Sequence, residues 1–290
     1  MSRHRLEALA ASLLVAMLAP PALAQNAEAM KPGQAFRDCP ECPEMVVIPA
    51  GRFMMGSPES EDGRLDLEGP QHAVTIVKPF AVGRYEVTFA EWDACVSDGG
   101  CRYEPNDQGW GRGKHPVIRV SWDDITKEYL PWLSRKASNT YRLLTEAEWE
   151  YAARAETTTR FHFGNGDNDV CAYGNVGDLF AKEKYKNLES TANCRDGYPN
   201  TAPVGLFKPN AFGLHDMLGN VWELVQDCLN ETHKRAPTDG SARTAGECRI
   251  RMVRGGSWIA GPRFARSAYR GRRAVVDRLN DTGFRVARAL

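Results

Sequence analysis

The segment NAFGLHDMLGNVWELVQD, residues 210–227, admits two incompatible readings. Leu214, Met217, Leu218, Val221, Trp222 and Val225 recur at the spacing of one helix face, so periodicity alone reads an amphipathic helix. Gly219-Asn220, in the middle of the run, is a pair that prefers turns. The choice decides whether the second half of the chain is built on a helix or on an irregular turn leading into a strand.

The flanking sequence is easier to read. Residues 44–57, EMVVIPAGRFMMGS, read as two short strands about the Pro49-Ala50-Gly51 turn, and residues 71–87 as strand-like runs broken at Pro79 and Gly83. Thr88 with Glu91, Ser121 with Asp124, and Thr145 with Glu148 have the spacing of the capping box, in which hydroxyl and carboxylate satisfy each other's free backbone N–H groups. They predict helices over 89–96, 122–137 and 146–155, with Pro131 kinking or shortening the second. Beyond residue 155 regular signals fade, and strand-like runs return at 201–206, 249–258 and 282–287. No internal repeat occurs, so a single domain is expected.

Residues 1–24 have a basic start, an apolar run from Ala8 to Leu18 and a small-residue Ala22-Leu23-Ala24 ending, the pattern of a cleaved signal peptide. The run is too short to span a bilayer, and no later stretch is long enough. The expected product is exported, periplasmic or secreted, with no membrane span after signal cleavage. In an oxidising compartment the eight cysteines read as bridges. Spacing groups Cys39 with Cys42, Cys95 with Cys101, Cys171 with Cys194, and Cys228 with Cys248, one of 105 possible connectivities. Cys39-Pro-Glu-Cys42, in the 25–43 segment, reads as a structural tether, with a redox-active pair as the alternative.

The net charge is zero, yet residues 249–290 hold eleven arginines, no lysine and only Asp277 and Asp281 as acids, leaving the remainder of the chain acidic. Arginine without lysine points to forked pairing with carboxylates inside the fold rather than to a nucleic-acid surface, so no nucleic-acid partner is expected. The six histidines form no HxH or HxxxH pair, and neither a GxSxG elbow nor a Walker loop occurs.

Taken together and in order, MVVIPAGRFMMGS, YEVTFAEWDAC, YRLLTEAEWEYAARA, NAFGLHDMLGNVWELVQD, VRGGSW and TGFRVAR resemble the formylglycine-generating enzymes, or sulfatase-modifying factors, across residues 44–290. The resemblance implies an irregular, loop-rich α+β domain related to C-type lectin-like domains, and it resolves the opening ambiguity as a metal-binding turn followed by a strand. It further implies structural calcium at two sites: Asn175, Val176, Asp196 and Tyr198 at one, Asp216, Gly219, Val221 and Glu223 at the other. Carboxylate, amide and backbone oxygens suit that ion.

One departure changes the expected chemistry. The copper-dependent members carry two cysteines five residues apart after the Arg-Gly-Gly-Ser-aromatic motif; the matching positions here are Ala260 and Ala265. Soft thiolates select copper(I), and a methyl group cannot replace them, so copper is not expected. Ser257, Trp258, Ala260, Arg263 and Ala265 remain the cleft candidates, with no catalytic residue assigned. The leading functional expectation is a repurposed oxidoreductase or modifying enzyme acting on a peptide or peptide-derived substrate, by analogy with a periplasmic relative that matures a peptide siderophore chromophore. The alternatives are a non-catalytic, calcium-stabilised binding module for protein, peptide or glycan, and a genuine sulfatase-activating oxidase.

Overall fold

The computed structural model describes residues 30–188 and 190–290; the leader read at 1–24 lies outside them. In chain order the strands are β1 (Ala35–Phe36), β2 (Met45–Ile48), β3 (Gly51–Met55), β4 (His72–Ile76) and β5 (Phe80–Gly83). Three helical pieces follow, α1 (Phe89–Ser97), α2 (Trp122–Asp124) and α3 (Leu130–Ala137), then β6 (Tyr141–Leu143), α4 (Glu146–Arg154) and α5 (Leu179–Lys184). The chain ends with β7 (Trp222–Leu229), β8 (Glu247–Arg254), β9 (Gly271–Ala274), β10 (Thr282–Phe284) and β11 (Val286–Ala289). Among the described residues no helix is long and apolar enough to cross a membrane.

All three capping boxes form, each with both reciprocal hydrogen bonds. Between α2 and α3 lies a π-helical turn, Ile125–Tyr129, immediately before Pro131. Proline has no N–H to donate and its ring crowds the preceding turn, so the wider turn keeps the helix continuous where an α-turn would clash. The 210–227 segment is a turn and a strand. Asp216, Gly219 and Asn220 take positive φ (57°, 76° and 54°), which no helix tolerates, and β7 begins at Trp222.

One sheet has the order β1-β2-β5-β11-β6, so strands from both ends of the domain lie side by side. Every residue of β2 and β5 is buried, which explains why they read as continuous apolar runs. A second sheet, β10-β7-β8-β9, leaves β9 at its edge, and β3 pairs with β4 as a ribbon. The 201–206 run is not a strand. Its backbone instead serves loops: Ala202 N–H donates to Asn220, Val204 N–H to the Lys114 carbonyl, and Gly205 N–H to Asp216.

The eight cysteines form four bridges, Cys39–Cys42, Cys95–Cys101, Cys171–Cys194 and Cys228–Cys248, and the chain has no free thiol. Several arginines of the C-terminal tail turn inward. Arg254 reaches Glu146 at 2.9 Å and Glu150 at 2.7 Å; Arg270 grips Glu146 at 2.7 and 2.9 Å; Arg285 binds both oxygens of Glu223; all are buried. These pairs fasten α4 and β7 to the C-terminal tail.

Candidate functional site

Past β8 the chain enters the segment that held the sequence's cleft candidates. Gly256 has φ +80°, and a Cβ there would sit 3.1 Å from the Ala265 Cα, so a glycine lets this turn fold tightly onto the following loop. Ser257 is fully buried, and its Oγ has no hydrogen-bond partner. Trp258 is a core residue: its Nε1 donates to the Asn280 carbonyl at 3.1 Å and its ring packs edge-on against Trp110.

A cavity of about 570 Å³ opens beside this segment, and Ser257 and Ala260 line it. Trp222, Phe264 and Tyr269 give it aromatic walls, and Leu65 and Leu67 come from the loop before β4. Of the remaining candidates, Arg263 is exposed and lines an adjoining cavity of about 440 Å³. Ala265 lines neither cavity; it is fully buried against Phe161, Val176 and Leu218. The two alanines therefore lie in different surroundings, one on the cavity wall and one in the core.

The polar groups of the larger cavity are mostly engaged. Arg270 is tied to Glu146, and Arg273 reaches Asp281 at 3.0 Å. Arg272 meets Glu231 at 3.7 Å with both side chains largely in solvent. Burial pushes the Tyr269 hydroxyl up, so it stays protonated at neutral pH. Among the described residues no histidine lines the cavity.

The residues of the first calcium expectation converge. Asp196 accepts N–H groups from Val176 at 3.0 Å and Tyr198 at 2.8 Å, and Asn175 Oδ1 is buried without a partner. Burial raises the Asp196 carboxyl to about 7, with Asp178 adding repulsion. Asp178, absent from the sequence reading, has a carboxylate oxygen within 4.8 Å of Asp196, and the third group of that cluster, Cys171, is closed in its bridge to Cys194. At the second set, Asp216 Oδ1 lacks a partner, and burial pushes its carboxyl up to about 6. Glu223 is already held by Arg285 and by Trp149 Nε1 at 2.7 Å.

Glu86, also missed by the sequence reading, is fully buried beside this set. It takes Asn220 Nδ2 at 2.6 Å and the Val221 N–H at 3.1 Å, and burial followed by repulsion from Asp216 and Glu223 drives its carboxyl well above the usual range. Three acids thus crowd near one guanidinium, that of Arg285, which bonds Glu223 alone among them. The signal in sequence was only that Glu86 sits in YEVT, between residues that alternate as strand, where an inward acid has no local partner.

An irregular α+β domain closed by its own chain ends, with this turn–strand unit and an Arg-Gly-Gly-Ser loop beside a cavity, defines the sulfatase-modifying-factor class. The family model "Sulfatase-modifying factor enzyme 1-like domain" matches residues 31–290. The chain belongs to that family, which includes the formylglycine-generating enzymes. It is 30% identical to the formylglycine-generating enzyme of Streptomyces coelicolor, over 80% of this chain and 84% of that protein. It is also 30% identical to the mouse protein named inactive C-alpha-formylglycine-generating enzyme 2, over 75% of each. The solved structure of PvdO from Pseudomonas aeruginosa superimposes with a TM-score of 0.80 at 40% identity, covering 90% of this chain and all of that one.

Proposed function

We propose that the protein is an exported member of the family whose cleft receives a peptide or peptide-derived substrate and modifies it without protein thiols. The observation that carries this reading is that a cavity of about 570 Å³ lies beside the Arg-Gly-Gly-Ser loop while every cysteine is locked in a bridge. That volume lies within the range of sites that enclose a small ligand or a few residues of chain. Four disulfides support an oxidising destination, periplasmic or extracellular.

Copper(I) does not fit this chain. Ala260 and Ala265 offer no ligand atom, and no other thiol is available, so the sulfatase-activating copper oxidation finds no footing here. Calcium does fit. Asn175 Oδ1 and Asp216 Oδ1 are buried oxygens without partners, and Asp196, Asp216 and Glu86 are acids whose burial a hard dication would offset. Asn175, Val176, Asp196 and Tyr198 would hold one ion; at the other, Asp216, Gly219 and Val221 have oxygens to offer, and Glu223 must share its carboxylate with Arg285. The ions would neutralise these acids and brace the loops that carry them.

A second reading is favoured by a specific observation. The ionisable groups of the cavity are tied in pairs or lie at its rim, which suits a non-catalytic binding module for peptide, protein or glycan. Incubating the calcium-loaded protein with exported peptides in air, with copper or iron supplied in parallel, separates the readings by mass spectrometry. A metal- or oxygen-dependent mass change supports the modifying enzyme. Saturable binding with no change of mass in any condition would replace it with the binding module.

A further inference from the structure

We propose that a separate cavity, walled by β3 and by the turn that ends α4, binds a neutral sugar ring, as a free saccharide or as the terminal unit of a glycan. No residue lines both this cavity and those beside the Arg-Gly-Gly-Ser loop, so the site is independent of what the cleft does.

The cavity encloses about 550 Å³, room enough for a small ligand. Pro49, Phe53, Met54 and Pro58 give it an apolar side, with Met54 46% exposed. Tyr151 also lines it, although that residue is only 3% exposed. Its ring packs against Phe53 and Phe212 with centroids 5.4 and 5.6 Å away, yet among the described residues its hydroxyl has no hydrogen-bond partner. A Cβ on Gly51 would stand 2.3 Å from that oxygen, so the glycine at the head of β3 is what leaves the hydroxyl its room. A buried tyrosine usually gives its hydroxyl a partner, and here a ligand in the cavity would supply one.

The polar side comes from the end of α4. Ala155 (φ 43°) and Glu156 (φ 73°) succeed each other in the left-handed region, which residues other than glycine seldom enter, and the chain turns there so that Glu156, Thr157 and Thr158 all line the cavity. Thr157 donates its hydroxyl proton to the Arg154 carbonyl at 2.9 Å and keeps its lone pairs for another donor. Glu156 and Thr158 are exposed, and among the described residues neither side chain has a partner. Burial, followed by the Glu156 charge, pushes the Tyr151 hydroxyl up, so it remains a donor at neutral pH and lies within reach of that carboxylate's field. The charges of the site balance. Arg154 is spent on Glu150 and on the Gly56 and Thr159 carbonyls, while Arg52, exposed on β3, stands against Glu156. Hydroxyl donors and acceptors beside an apolar face, with no net charge, do not select an ion. They match a ring whose edge carries hydroxyls and whose face carries C–H groups.

The test titrates the disulfide-bonded protein with glucose, galactose, mannose and N-acetylglucosamine, as single rings and as short linear oligomers, and reads binding by saturation-transfer NMR. Saturable binding of at least one sugar is expected. Affinity equal for ring and oligomer marks a free saccharide as the source, and affinity that grows with length marks a glycan end. Tyr151→Phe should weaken the binding about tenfold, the size of one hydrogen bond made only to the ligand, and should leave Tm unchanged because the hydroxyl has no partner in the protein. Glu156→Gln, at an exposed position, should weaken it by a similar factor and decides the matter if Tyr151→Phe also lowers Tm. Saturable binding indifferent to both variants places the sugar elsewhere and overturns the site. No saturable binding of any of these sugars overturns the assignment, whether or not an aromatic probe, indole, binds in their place.

Discussion

Replacing Arg266 with Met tests whether the arginine-rich segment is structural. Its side chain is fully buried and its guanidinium makes five bonds: Nη1 to Glu61 at 2.5 Å and Glu68 at 2.8 Å, Nη2 to Glu68 at 2.6 Å and the Gly63 carbonyl at 2.7 Å, and Nε to the Arg263 carbonyl at 3.0 Å. Met fills most of the volume but leaves two buried carboxylates without their counter-charge. Breaking one side of such a pair costs about 3–5 kcal/mol. For a domain of this size that is a fall in Tm of roughly 10 °C. The loss is local in origin, because Glu61, Gly63 and Glu68 belong to the loop that presents Leu65 and Leu67 to the cavity, so peptide binding at the cleft should fall as well. Adding Glu68→Gln should recover part of the stability by removing the stranded charge, and a urea denaturation cycle over the two single variants and the double measures the coupling. If Arg266→Met unfolds within about 1 kcal/mol of the wild type, this pairing is not what holds the loop, and the argument for inward-facing arginines fails at its best-bonded example.

Ala260→Cys should react with a thiol reagent in the folded protein, whereas Ala265→Cys should react at least about a hundredfold more slowly, through opening of the core; equal rates would contradict the separation of the two positions. Calcium chelation should lower Tm, each ion lost costing about 3 kcal/mol of stability where it had been at a hundredfold above its Kd, and a copper(I) chelator should leave it unchanged. His233, 4% exposed, is pushed down to about 4 by burial, against the attraction of Glu146. Its folded pKa lies below the unfolded value of about 6.5, so the native state binds fewer protons and stability is lost as pH falls from about 6.5 to about 4, by about 3 kcal/mol. His233→Gln should flatten that part of the pH–Tm curve; an unchanged acid limb would show that this ring already carries its proton in the fold.

What could be read in advance was local. The capping boxes at Thr88, Ser121 and Thr145 are complete within four residues, so their hydrogen bonds follow from the chain alone. Pro131 likewise announced a disturbance, and the π-helical turn before it is the answer. Long-range pairing was not legible. β2 and β3 flank one turn yet join different sheets, and Glu146 finds Arg270 at a separation of 124 residues. The 201–206 run had the composition of a strand but no neighbour offering a ladder. The six-residue α5 had no apolar period to reveal it, although Asp178 caps it by accepting the Ala181 N–H. Among the site residues, Ser257 and Ala260 could be found from their motif. Glu86 and Asp178 could not, because their importance arises only when folding brings them beside other acids.

The arginine tail shows why composition can point to a function class without naming a site. Eleven arginines without a lysine would be a poor solvent-facing surface, since lysine serves there equally well; the planar fork matters where several fixed acceptors must be met at once. Arg254, Arg266, Arg270 and Arg285 meet them in the interior, and each draws on acids supplied by earlier parts of the chain, which matches the opposite charge of the tail and the remainder. Once those four are assigned to the core, the charge left at the cleft is small and specific: Arg272 at a strand edge and Arg263 resting on Phe264. This chain, with alanines at both positions of the thiol pair, has a cavity there whose wall carries aromatic rings and arginines but no thiol. With every cysteine in a bridge, any covalent step at this cavity proceeds without a protein thiol.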